Sequence, residues 1–176
     1  MLKLPNPVCD KLKFYHADNF VHPLFLRFIF TPSFLASLHL SFNEELVTCS
    51  TSALPVEQRD YPPWLNSFIS ELKAYLNGET VSFSTPYQFL PNKMKWQKAW
   101  EALQEIPYGQ TVSYKNYSQR IGLKNPRNAG WVLSQNPFPL IFPCHRVIRS
   151  DGSLGGFTPD PNIKKWLLDM EQAANV

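Results

Sequence analysis

The sequence predicts an α+β protein, with a small antiparallel sheet and one helix in its first half and a mainly helical second half. Three observations predict it. Residues 34–42 alternate apolar and polar side chains, the period of a half-buried strand. Leu65, Phe68, Ile69, Leu72 and Leu76 recur at helical spacing. Beyond residue 92, further segments of helical period follow one another, each bounded by cap or stop residues.

In chain order, "LFLRFIF" (24–30) and "FLASLHLSF" (34–42) flank the turn "TPS" and read as a hairpin. Phe34, Ala36, Leu38, Leu40 and Phe42 share one side; Ser37, His39 and Ser41 share the other, with Leu35 the exception. "ELVTCSTS" (45–52) is expected to add a strand. "PPWLNSFISELKAYLNGE" reads as a helix opened by Pro-Pro and closed by Gly78. "TVSFSTPYQFLPN" reads as a strand followed by a Pro-rich connector, which sets the expected domains at 1–90 and 91–176. In the second half "KMKWQKAWEALQEI" carries Trp96, Trp100, Leu103 and Ile106 at helical spacing and stops at "PYGQ". "TVSYKNYSQRIG" starts at a Thr or Ser cap and ends at Gly122; "NPRNAGWVLSQN" starts with Asn125 as cap and Pro126 in the first turn. Two short helices joined by a brief turn fit a helix-turn-helix, although many helical hairpins bind nothing. "NIKKWLLDMEQAA" is the last helix, with Ile163, Trp166, Leu167 and Met170 toward the core and Glu171 on or beside that face.

Composition narrows the function classes. The chain has 176 residues, 44% of them hydrophobic, with thirteen Phe and five Trp, enough for a core without staples. Three cysteines without a CxxC read as reduced thiols, which points to the cytoplasm. Pro and charged residues interrupt the N-terminus, so no signal-peptide core is expected there. No apolar run approaches the roughly 18 residues of a membrane span. Cys9, Cys49, His16, His22 and His39 form no compact ligand pair of zinc type, and no metal is expected. Charge is uneven, with a balance of −2 over residues 1–92 and +5 over residues 93–176. A basic second half suggests an anionic partner, with nucleic acid the first candidate; ordinary surface variation is the plainer alternative.

Within "PLIFPCHRVIRSDGSLGGF" (139–157), Cys144 stands beside His145, Arg146 and Arg149. The apolar run "FPLIFP" is expected to form a short strand-like approach, and Pro143 restricts Phe142 to extended backbone. Nearby positive charge lowers a thiol pKa and favours the nucleophilic thiolate. Adjacent side chains on extended backbone point apart, so Cys144 and His145 can cooperate only through a bend or a bridging water. The alternative is a buried, inert Cys144 beside a structural His145.

"IPYGQTVSY", "NPFPLIFPCHRVI" and "KKWLLDME", in this order, resemble the O6-alkylguanine-DNA alkyltransferases, also called methylated-DNA–protein-cysteine methyltransferases. The resemblance covers roughly residues 90–176; the first half matches only the outline of the family's ribonuclease-H-like domain. It implies that Cys144 accepts the alkyl group, that His145 acts on it through a water, and that Glu171 orients His145. It implies that Asn136 braces the helix-turn-helix against the active-site strand, and that Tyr114 reaches the flipped base and assists its departure. The backbone carbonyls of Cys144 and Val147 would hold the guanine amino group, and Thr158 would donate to the substituted oxygen. Arg127 would enter the duplex, with Asn128 and Trp131 on the same DNA-binding helix where the family has small residues. Phe157, Pro159 and Asp160 also depart from the family's Tyr and Gly positions and bear on pocket width.

The implied activity is irreversible, single-turnover transfer from O6-alkylguanine, and conceivably O4-alkylthymine, in double-stranded DNA to Cys144 after base flipping. No cofactor and no membrane are implied, and a monomer is expected. Two other readings stay open: a module that binds alkylated DNA without transfer, and a cysteine hydrolase, for which no separate oxyanion-hole motif is present.

Overall fold

The computed structural model describes residues 8–14, 23–47 and 61–174. The chain divides into two compact units, Met1–Pro91 and Asn92–Val176.

In the first unit, β1 (Val8–Phe14), β2 (Leu24–Phe30) and β3 (Leu35–Ser41) form an antiparallel sheet with β2 in the middle. The hairpin expected from alternation is β2–β3. Its turn is fixed by Thr31, whose Oγ1 accepts from the Ser33 and Phe34 amides, each at 3.2 Å. Leu26 faces Leu40 and Phe28 faces Leu38 across the ladder, all four buried. Strand β1 was not anticipated, although Lys11, Leu12, Lys13 and Phe14 carry a period-two signal in sequence. Helix α1 (Pro63–Leu76) begins with Pro at its first position and buries Leu65, Phe68, Ile69, Leu72, Tyr75 and Leu76. Each such large apolar side chain contributes about 1.5–3 kcal/mol. The Trp64 indole donates to the Pro32 carbonyl at 2.9 Å, which seats the start of α1 on the β2–β3 turn.

Of two further expected strands, one falls mostly outside the described residues and the other does not form. Glu44–Val47 is a 3-10 turn, and the rest of 45–52 lies outside the described residues. The segment after Gly78 forms no ladder: Phe83 packs on Phe68 and Tyr75, and the Ser84 amide donates to Glu71, so side chains of α1 take the place of a partner strand. Only Tyr87 makes a bridge, to Leu35.

The second unit opens with a broken helical run: a 3-10 turn Met94–Trp96, α2 (Gln97–Glu101) and a second 3-10 turn Ala102–Glu105. The single helix expected here is cut short because Pro107 holds Ile106 extended, at φ −85° and ψ 112°, and the last turn tightens. Val112–Ser113 (β4) then leads into α3 (Tyr114–Arg120), capped by the Ser113 hydroxyl and ended at Gly122, where φ is +73°. Helix α4 (Pro126–Ser134) is capped by the Asn125 side chain with Pro at its first position, as anticipated. The Trp100 indole donates to Val132 at 2.9 Å, tying α2 to α4.

Residues 138–143 form a buried turn rather than a strand. The Phe142 amide donates back to Phe138 at 2.9 Å, and Leu140 adopts φ +76°, a conformation costing a non-glycine residue about 1–3 kcal/mol. A 3-10 turn, Cys144–Arg146, and β5 (Val147–Ile148), parallel to β4, follow. Helix α5 (Pro161–Ala173) is capped by Asp160. Its buried stripe is Ile163, Lys164, Leu167, Leu168 and Glu171, whereas Trp166 and Met170 are half-buried.

Candidate active site

The site is organised by the buried turn before Cys144. Asn136 closes it: Oδ1 accepts from the Phe138 amide at 3.0 Å, while Nδ2 donates to the Phe142 carbonyl at 2.8 Å. The same Nδ2 lies 3.3 Å from Cys144 Sγ. One amide thus fixes both ends of the turn and the sulfur that follows it. Cys144 is 6% exposed.

The 3-10 turn supplies the bend that extended backbone lacks. It directs His145 and Arg146 inward, where both meet Glu171. His145 Nε2 is 2.9 Å from Glu171 Oε1. Arg146 Nε and Nη2 fork onto the same carboxylate at 2.9–3.2 Å, and Nη1 donates to the Ile106 carbonyl at 2.6 Å. The Gly109 amide donates to Glu171 Oε2 at 3.1 Å, so "PYGQ" is clamped by the same acid. Burial pushes the Glu171 carboxyl up, but the hydrogen bonds from His145 and Arg146 and the positive charge of the Arg146 guanidinium outweigh it and hold the pKa at about 2. An ionised carboxylate can only accept. His145 Nε2 therefore carries the proton, leaving Nδ1 as the basic nitrogen. Burial lowers the imidazole pKa despite Glu171, so His145 is neutral near pH 7.

Burial also pushes the Cys144 thiol up, against the smaller opposing effects of Asn136, Lys164 and its own amide. The anticipated cations at 146 and 149 do not serve the sulfur: Arg146 is committed to Glu171, and Arg149 is exposed. The charge facing it is Lys164, wholly buried, whose Nζ donates to the Val147 carbonyl at 2.6 Å and lies 3.5 Å from the Tyr114 hydroxyl. Burial lowers the Lys164 pKa to about 8, with Cys144 pulling it back up.

Tyr114 donates to the Gly156 carbonyl at 3.1 Å, and burial raises its pKa, so it keeps its proton. Gly155 passes directly beside its ring: a Cβ there would fall 2.9 Å from Tyr114 Cε2, and φ is +69°. Asn136 thus meets Cys144, Glu171 meets His145, and Lys164 joins Tyr114 to Val147, three sets brought together by the Cys144–Val147 stretch. Thr158 is exposed on the approach to α5 and makes no hydrogen bond to the cluster among the described residues. Arg127, Asn128 and Trp131 are exposed on α4. Among the described residues no group of His, Cys, Asp and Glu could hold a metal; the side chains of Cys9, Cys49, His16 and His22 lie outside them.

A buried thiol, followed in sequence by a neutral imidazole that a carboxylate orients, supplies the residue types of a nucleophile, a base and an orienting group. Residues 95–173 match the family model for the DNA-binding domain of 6-O-methylguanine DNA methyltransferase. A methylated-DNA–protein-cysteine methyltransferase of Methanosarcina barkeri is 36% identical over 121 residues, covering 68% of this chain and 75% of that protein. The chain belongs to the methylated-DNA–protein-cysteine methyltransferase family. The Methanothermobacter thermautotrophicus methylated-DNA–protein-cysteine methyltransferase is 37% identical over 111 residues, and the match spans 62% of each chain. A crystal structure of Mycobacterium tuberculosis OGT in complex with DNA superposes with a TM-score of 0.66 at 27% identity, over 93% of both chains.

Within this methylated-DNA–protein-cysteine methyltransferase family member, sequence reasoning missed three contributors. Lys164 reads as a surface lysine until its register is considered: with Leu167, Leu168 and Glu171 it continues one helical face. Arg146 was weighed only as a charge near the thiol, and Gly109 only as a helix stop. Both meet Glu171 across the fold, a contact no local pattern encodes.

Proposed function

We propose that the protein repairs DNA by transferring a methyl or other alkyl group from O6-alkylguanine in a duplex to its own Cys144, once per molecule. The observation that carries this reading is the Cys144–His145–Glu171 cluster, with Asn136 on the sulfur, in a chain of this family.

The substituted oxygen is hard to attack in line while stacked, so the nucleotide rotates out at a cost of a few kcal/mol. The α3–α4 pair acts as a helix-turn-helix on the phosphates, and Arg127 fills the vacated stack. Asn128 and Trp131 sit on the same face of the duplex. The base displaces the Gly156 carbonyl from the Tyr114 hydroxyl. The carbonyls of Cys144 and Val147 take the guanine amino group; that of Val147 keeps a lone pair beside the one used by Lys164. Thr158 donates to the substituted oxygen once the 155–158 segment closes on the base.

His145 Nδ1 then takes the thiol proton through an intervening water. The sulfur forms a bond to the alkyl carbon as the carbon–oxygen bond breaks. Negative charge developing on guanine is met by a hydrogen bond from Tyr114, still protonated because of its raised pKa. The thioether has no good leaving group, so the thiol is not regenerated. The alkyl donor is the lesion itself, and no cofactor enters. The Asn92–Val176 unit carries this chemistry, and the Met1–Pro91 unit, read as the family's ribonuclease-H-like partner, supports it. A reduced Cys144 suits the cytoplasm.

Intact-protein mass spectrometry after mixing with an O6-methylguanine duplex tests the proposal. One methyl mass per molecule, mapped to Cys144 and absent from Cys144→Ala, is expected. Tight binding of the lesion without gain of mass would instead favour a module that binds without transfer.

A further inference from the structure

Trp131 is 52% exposed, yet its ring is not loose. Trp96 meets it edge to face, with centroids 5.6 Å apart and planes at 71°. Trp96 is held in turn by its surroundings: Lys95 Nζ sits 5.4 Å from its ring centre, and Lys93 Nζ donates to Gln135 at 2.8 Å, tying the Met94–Trp96 turn to the end of α4. The buried indole N–H of Trp96 has no hydrogen-bond partner among the described residues. A buried donor without a partner is destabilising. The pair therefore gives up stability while leaving half of one large ring in water, a poor arrangement for packing alone.

The two stretches that carry the pair are basic. Residues 92–100 and 123–136 hold Lys93, Lys95, Lys98, Lys124 and Arg127, and no acid. Trp131 lies four residues after Arg127, hence on the same face of α4 and about 6 Å further along its axis. Successive phosphates of one strand are about 3.4 Å apart along a duplex, so the span between Arg127 and Trp131 is no longer than about two nucleotide steps.

We infer that Trp131, buttressed by Trp96 and flanked by Lys93 and Lys95, is a second contact surface for double-stranded DNA, its ring lying against deoxyribose beside the site that Arg127 enters. The inference rests on the proposed repair function. The ring offers a flat apolar face that reads no sequence, and the lysines meet the adjoining phosphates. The excess of basic residues in these two stretches favours a nucleic-acid partner over a second copy of this chain.

Binding of the full chain to lesion-free and O6-methylguanine duplexes, followed by fluorescence anisotropy across about 50–200 mM salt, tests it. Trp131→Ala should weaken both complexes about ten-fold with an unchanged salt slope, because an aromatic contact releases no counterions. Trp131→Phe should lose less. Lys95→Ala should reduce the slope by about 0.9. Ala is a good helix former and the site is exposed, so the fold should persist; should Trp131→Ala unfold, Trp131→Phe and Lys95→Ala carry the test. Wild-type affinity in Trp131→Ala, with methyl transfer by the wild type intact, overturns the inference alone. So does a DNA-free dimer of the wild type that Trp131→Ala dissociates in sedimentation. A wild type that neither binds the duplex nor gains a methyl sinks the underlying reading instead.

Discussion

In the proposed transfer, His145 is the residue on which the timing of the chemistry turns. Its pKa is lowered and that of Cys144 is raised, so between them lies a window around neutrality in which the thiol is protonated and the imidazole is free to accept. Within that window the single-turnover transfer rate should be nearly independent of pH. His145→Gln removes the acceptor. The rate should fall about 10²–10⁴-fold and should then climb steadily with pH as hydroxide ionises the thiol. Stopped-time assays on an O6-methylguanine duplex from pH 6 to 9 would read this; a flat profile in His145→Gln would remove His145 from the mechanism. Glu171→Gln keeps the shape but loses the charge that fixes the tautomer, and should slow transfer in the same direction.

Helix α4 shows what local sequence can dictate. Asn125 and Pro126 set its start, and both do so through atoms within two residues of themselves. Asn125→Ala should cost about 1 kcal/mol and Asn125→Gly only a few tenths, read as shifts in chemical denaturation midpoint at constant m-value. Wild-type stability in Asn125→Ala would mean that the cap bond contributes nothing. The same local logic made α1, α3 and α5 legible in the sequence. It failed where distant atoms decide. Residues 138–143 have the apolar composition of a strand but are bent into a turn by Asn136, and residues 80–84 alternate like a strand yet find α1 side chains instead of a neighbour. The site divides in the same way. Cys144, His145 and Glu171 were legible through a resemblance spread over "PCHR" and "KKWLLDME". The Arg146 fork, the Gly109 clamp and the inward Lys164 are tertiary events, invisible to periodicity.

For the molecule as a whole, the buried relay ties folding to pH. The Glu171 pKa of about 2 lies below the ordinary value of about 4.3 in an unfolded chain, so its stabilisation is complete above that value and is lost as pH falls toward 2. His145 acts earlier in the same direction. An unfolded chain binds a proton near pH 6.5 that the folded protein refuses, so stability begins to decline below that pH. Thermal melts should therefore show a Tm falling first below about pH 6.5 and again below about pH 4.5. Glu171→Gln should flatten the lower stage while reducing stability at neutral pH by about 3–5 kcal/mol, because the Arg146 guanidinium is left buried without its counter-charge. Identical acid slopes in the two proteins would show that Glu171 is not held as described.

The fork of Arg146 on Glu171 also shapes the field outside the protein. Glu171 is the one buried acid among the described residues, and its charge is matched at contact distance by a guanidinium before any solvent intervenes. The pair is close to neutral as a unit, and the buried Lys164 adds a positive charge to the same region. Under the proposed function, the protein keeps a carboxylate beside Cys144 and His145 without that carboxylate opposing the encounter with nucleic acid.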